Sequence, residues 1–190
     1  MSLEEIIGPK AVKVALSQAG LVHYANKYPS NSMKKGFGFD ELSHIQIALE
    51  QLFGPRGGRG VALRSGRVCF KYGLREFGSL SGFTDQAFRL APLDTKLQAG
   101  ASIFADIFNQ FTDQKVRVET STDQILWHID RCPVCWNRHA DVPVCHLAVG
   151  ILQESLYWVS GGKVFNVEEI SCVAKGDPTC TILIDKQALG

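Results

Sequence analysis

At about residue 114 the spacing of apolar side chains changes, and that change restricts the fold more than any other feature of the chain. Before it, apolar residues recur every three or four positions. Ala11, Val12, Ala15, Leu16 and Ala19 form one such set; Leu42, Ile45, Ala48 and Leu52 a second; Leu63, Phe70, Leu74 and Phe77 a third; Leu97, Ala101, Phe104, Phe108 and Phe111 a fourth. This is the spacing of helices with one buried face. The punctuation agrees. Gly8-Pro9 opens the first helix and Gly20 stops it. Asp40 is placed to cap the second and Gly54-Pro55 to end it, the third runs from Gly57 to Phe77, and Asp94 is placed to cap the fourth. Residues 28–39, rich in Pro, Ser, Asn and Gly, read as a loop.

After residue 114, Val116, Val118 and Thr120 alternate with Arg117 and Glu119, which is the period of a strand. Asp123 to Asp130 is apolar and β-prone and reads as its hairpin partner. Helical spacing returns from Val144 to Val159 through Leu147, Ala148, Ile151, Leu152 and Leu156, and Gly161-Gly162 stops it. Val164 to Val173 and Thr179 to Asp185 are two further strands, joined at Gly176-Asp177-Pro178. Helices first, then strand–strand–helix–strand–strand, predict an α+β fold: an antiparallel sheet with helices packed on it. We expect a single domain over residues 1–190, with a mainly helical part at 1–113 and the strand-rich part at 114–186. A chain of 190 residues buries roughly two thirds of its unfolded surface, so it folds without staples.

Several functions are disfavoured at once. Twenty Lys and Arg against nineteen Asp and Glu leave a net charge of +1, without the basic excess that nucleic-acid binding wants. No apolar run is long enough for a membrane span. The opening MSLEEIIGPK is acidic rather than led by Lys or Arg, unlike a secretory signal, so a cytoplasmic, reducing compartment is expected. There, six cysteines mean metal or thiol chemistry more often than disulfides. The segment GPRGGRG at 54–60 lacks the Gly-Lys-Ser/Thr ending of a phosphate loop. Arg56, Arg59, Arg64 and Arg67 read as a solvated face able to meet a carboxylate-bearing ligand.

Cys69, alone in a helical stretch, reads as a buried small apolar residue. The other five cysteines cluster in the last third, where two tetrads compete. The local one is Cys132-x-x-Cys135 with Cys145 and His146, which resembles half a zinc knuckle. Adjacent residues on a helix point about 100° apart, however, so Cys145 and His146 poorly share one ion. The other is Cys145, Glu169, Cys172 and Cys180: Cys172 and Cys180 meet across a hairpin whose strands lie about 5 Å apart, and a helix packed on that end adds Cys145. Spacing alone leaves both tetrads open, together with free thiols beside a solvated Glu169, or a redox pair at Cys132 and Cys135.

Residues 114–186 resemble the vinyl-4-reductase (hydrocarbon-binding) domain family. The likeness is carried by Pro143-Val144-Cys145, by the following helix with Gly150, by EISCVAKGDPTC at 169–180, and by the apolar strand TILID after it. The helical half matches in texture only. The resemblance implies a ligand-binding fold shared with Golgi-transport complex subunits and haem-nitric-oxide sensor domains. It also implies a hydrophobic small molecule held between helices and sheet. Related sensor domains of phenol-responsive transcription activators hold zinc with one Cys, a Glu and two further Cys. Carried over by motif, those ligands are Cys145, Glu169, Cys172 and Cys180. The stretch from the first Cys to the Glu is longer here by about a residue, which keeps Glu168 as a rival ligand. Cys132 and Cys135 fall outside that tetrad and are free or bind metal in its place.

Four protein ligands leave no open coordination position, so such a zinc is structural. Phe104, Phe108, Phe111, Trp127 and Tyr157 are the aromatic side chains available to line a pocket. Trp127 and His128 point to opposite faces of their strand, and His128 reads as a satisfied or exposed histidine rather than a ligand-binding group. With no nucleophile, base and orienter together, the expected function is a non-enzymatic receptor, carrier or sensor for a hydrophobic small molecule. One alternative is a reductase or accessory subunit acting on vinyl groups in tetrapyrrole (bacteriochlorophyll) biosynthesis. It would need a partner's electrons, because no Gly-x-Gly-x-x-Gly follows a strand. A second alternative is a protein-interaction subunit. A homodimer through the helical half is expected from fold analogy alone.

Overall fold

The computed structural model describes residues 1–30, 32, 34–78 and 86–189, Gln86 through its backbone only. The loop expected at 28–39 therefore lies partly outside the described residues. The helices are α1 (Ser2–Gln18), α2 (Phe39–Phe77), α3 (Gln86–Leu90), α4 (Leu93–Phe111) and α5 (His146–Val159). The strands are β1 (Lys115–Thr120), β2 (Gln124–Arg131), β3 (Val164–Ser171) and β4 (Cys180–Leu189).

The four strands form one antiparallel sheet in the order β1-β2-β4-β3. The two hairpins are joined by pairing β4 to β2, with Trp127 opposite Ile182 and Ile129 opposite Cys180. Ile125, Trp127, Ile129, Phe165, Val167, Ile182 and Ile184 are buried on the face that α4 and α5 cover. His128 lies on the opposite face yet is buried: its Nδ1 is 3.0 Å from Thr181 Oγ1, and Glu119 lies beside it.

Glycine sets the helix breaks as expected, with one addition. At Gly54 the backbone takes φ 71° and ψ 167°, so α2 is two helical stretches meeting at a kink, with Pro55 starting the second. The same device at Gly8 (φ 77°) lets a further turn of helix, from Ser2, precede the one expected from Pro9. Caps differ from the expectation. Gly38, not Asp40, precedes α2, and its N–H donates to the Glu41 carboxylate at 2.6 Å. Pro92, not Asp94, precedes α4. β4 runs past Asp185 to Leu189 because its end pairs with the start of β3, Phe165 opposite Ala188.

Buried residues fall into two clusters. One holds α1 with the first stretch of α2, through Val12, Leu16, Ile45 and Leu49. The other joins the sheet, α4, α5 and the segment 132–144. Helix α2 continues across α5 at glycines on both sides. A Cβ at Gly150 would meet the Leu63 backbone, with its carbonyl carbon at 2.9 Å, and one at Gly66 would meet the Ile151 nitrogen at 2.9 Å. The two backbones touch there because neither position has a side chain.

Candidate metal centre and apolar cavity

The segment from β2 to α5 folds back over the sheet end. Cys132 and Cys135 form a tight turn, closed by the Arg138 N–H donating to the Cys135 carbonyl at 3.1 Å, with Asn137 at φ 54°. The turn is fastened to α2 at two points. The buried Arg138 guanidinium donates to both carboxylate oxygens of Glu50 at 2.8 and 2.7 Å, and Ser43 Oγ donates to the Trp136 carbonyl at 2.7 Å. Phe39 packs edge-on against Trp136, and the Arg131 guanidinium lies over both rings. Cys145 immediately precedes α5, Cys172 follows β3, and Cys180 opens β4.

Five cysteine sulfurs therefore meet in one place, all buried and none in a disulfide. Cys132 and Cys145 sulfurs are 3.4 Å apart, Cys135 and Cys180 3.3 Å, Cys145 and Cys180 3.7 Å, Cys145 and Cys172 3.8 Å, and Cys172 and Cys180 4.0 Å. A tetrahedral zinc with bonds of about 2.3 Å needs sulfurs about 3.8 Å apart, so the spacing suits shared coordination. Glu169 turns into the cluster while Glu168 faces outward, which removes Glu168 as a rival. One Glu169 oxygen accepts the Cys145 backbone N–H at 2.7 Å; the other is buried without a hydrogen-bond partner. A buried carboxylate oxygen left unpartnered beside thiols is costly, and a cation would satisfy it. The donor set fits a zinc ion.

Among the described residues two tetrads emerge, each with ligand atoms within 4.8 Å of one another: Cys132, Cys135, Cys145 and Cys180, and Cys145, Glu169, Cys172 and Cys180. They share Cys145 and Cys180. His146 belongs to neither. It turns toward Glu50, Arg59 and Arg138, where burial first and Arg59 second lower its pKa to about 4. Glu169 is pushed up to about 8, chiefly by burial and then by Cys172. Among the crowded thiols Cys135 is pulled well below the ordinary value by hydrogen bonding, from Cys132 above all, and Cys145 is pushed up.

Among the described residues, two apolar spaces lie among α2, α4, α5 and the sheet. The larger, about 200 Å³, is lined by Phe70, Leu74, Phe77, Phe104, Phe108 and Ile151 among others. The smaller, about 20 Å³, is lined by Phe104, Trp127, Leu156 and Ile184 among others. Phe104 borders both. Its ring packs edge-on to Phe70 at 5.7 Å between centroids, and lies 4.9 Å from Phe108 and 5.7 Å from Trp127. Three of the five expected pocket aromatics are thus at the cavities. Phe111 lines neither, and Tyr157 is 48% exposed on the outer side of α5, against Gly162. Cys69, expected in the core, is an exposed thiol at the rim of the larger space. Phe70, Leu74 and Phe77, expected as one side of a helix, supply the other wall.

No protein-family model matches the chain, and no curated protein matches it. Solved structures do. An H-NOX protein from S. oneidensis in the Fe(II)NO state aligns over 100% of this chain and 96% of its own, with TM-score 0.58 and 16% identity. The Fe(II) unliganded H-NOX protein from K. algicida aligns over 99% and 91%, with TM-score 0.63 and 12% identity. The phenol-responsive sensory domain of the transcription activator PoxR, solved with phenol, aligns over 78% and 74%, with TM-score 0.56 and 19% identity.

A haem was tested against the residues present. Haem iron takes an axial His, Cys, Met or Tyr. Among the described residues, neither cavity is lined by His, Met or Tyr, and the one sulfur is the exposed Cys69. The cavities do not fit a haem. At these identities the likeness shows one thing, that this chain has the α+β fold of H-NOX domains.

Proposed function

We propose that the chain is a non-catalytic binding module for a small apolar molecule about the size of one substituted aromatic ring, with its sheet end clamped to α5 by structural zinc. The observation that carries this is the cavity walled by Phe70, Phe104, Phe108 and Ile151. A dry apolar cavity of about 150 Å³ is enough to hold benzene, so 200 Å³ suits a single substituted ring. Among the described residues its lining is apolar apart from the Cys69 thiol at the rim, so affinity comes from burial and ring contacts rather than hydrogen bonds. The phenol sensory domain supports this size class.

The zinc ligands in this reading are Cys145, Glu169, Cys172 and Cys180, the set that the vinyl-4-reductase resemblance implies. The ion would tie the β3–β4 hairpin to the start of α5, and α5 carries Ile151, Leu152, Ser155 and Leu156 into the cavity walls. Its binding energy then counts toward folding. Protein thermal stability should be measured with toluene, phenol, naphthalene and a medium-chain fatty acid. A ligand at a hundred times its Kd adds about 2.7 kcal/mol of stability. No shift with any of the four would refute the proposal.

A further inference from the structure

We propose that the cysteine cluster holds two thiophilic divalent ions, bridged by the Cys145 and Cys180 sulfurs. This rests on the zinc clamp proposed above for one of the two positions.

The six donors divide about a shared edge. Cys132 and Cys135 lie in one tetrad, Glu169 and Cys172 in the other, and Cys145 and Cys180, 3.7 Å apart, in both. A single ion on the second tetrad leaves Cys132 and Cys135 buried 3.4 and 3.3 Å from ligated sulfurs, which is ligand spacing rather than ordinary packing. The Cys-x-x-Cys turn that carries them is built to grip one tetrahedral ion. It is held in place by the Arg138–Glu50 pair and the Ser43 hydrogen bond. Thiolate sulfur has lone pairs for two metals, so Cys145 and Cys180 complete both coordination shells.

Charge also permits it. One divalent ion on three thiolates and a carboxylate leaves a net charge of −2, with Cys132 and Cys135 protonated. A second divalent ion in place of those two protons leaves the same −2. It therefore enters without adding uncompensated charge to the interior.

The test is the zinc content of the full chain after equilibration with buffered zinc, beside that of the variant Cys132→Ser/Cys135→Ser. Two zinc ions per chain, falling to one in the variant, is the expected result. One per chain in both overturns the two-ion centre and leaves the clamp standing. None in either overturns both. Should the variant fail to fold, cobalt exchanged into the unaltered chain decides. Bridging sulfurs couple the two cobalt spins and lower the magnetic moment per ion, whereas two uncoupled high-spin ions, or a single ion, overturn the proposal.

Discussion

Phe104 is the side chain on which the cavity depends, and replacing it by alanine should cost stability while enlarging the ligand range. The ring is partly buried, borders both apolar spaces and contacts Phe70, Phe108 and Trp127. Phe→Ala in a core costs about 3–5 kcal/mol. Phe104 already borders open space, so the low end applies, about 3 kcal/mol. For a chain of 190 residues that lowers Tm by roughly 6–12 °C at about 2–4 °C per kcal/mol. Removing the ring also joins the 200 and 20 Å³ spaces. Two-ring ligands should then gain affinity over one-ring ligands, and naphthalene should recover more of the lost Tm than toluene. Calorimetric melting with and without each compound reads both effects. A variant as stable as the unaltered chain, or one that favours toluene more than before, would refute the view that Phe104 partitions a ligand space.

Other expectations concern the frame around it. Gly150→Ala places a methyl against the Leu63 backbone, which cannot swing aside as a side chain would, so a loss of about 2–3 kcal/mol is expected in urea unfolding; an unchanged midpoint contradicts the close helix crossing. Cys172→Ser should lose the zinc bound with Glu169 and lose stability with it, and a variant that loses that ion at unchanged stability contradicts the clamp. His146 is kept neutral down to about 4 against an ordinary 6.5, so the unfolded chain takes up its proton first as pH falls. Stability should therefore decline between pH 6.5 and 4, by up to ~3 kcal/mol from this group. His146→Gln should flatten that window; equal slopes in the two proteins would refute the assignment.

The chain announces its elements more clearly than its site. Period and punctuation place the four strands and the helix breaks, because Gly54 and Gly161 are needed for positive φ and few other residues take it readily. The short α3 carries no such signal in its five residues. The cysteines are legible as two competing groups but not as one cluster, and spacing reads the local group with His146 where the structure puts Cys180. Spacing cannot show that the turn at 132–138 folds back on the hairpin. What puts it there is the Arg138–Glu50 pair, formed 88 residues apart in sequence. Glu169 over Glu168 was likewise undecidable until the register of β3 fixed which one faces inward. Tyr157 misled because aromatic content alone does not say which side of α5 a ring occupies, whereas Phe104 and Phe108 shared a helical face with buried neighbours.

The most direct test of a ligand space between helices and sheet is a nuclear magnetic resonance titration of the zinc-loaded chain with toluene. Saturable shifts should gather on Phe70, Phe104, Phe108 and Ile151 and leave Glu168 and Asn166, on the outward side of β3, unmoved. Shifts confined to that outward surface, or none at all, would contradict the binding-module reading.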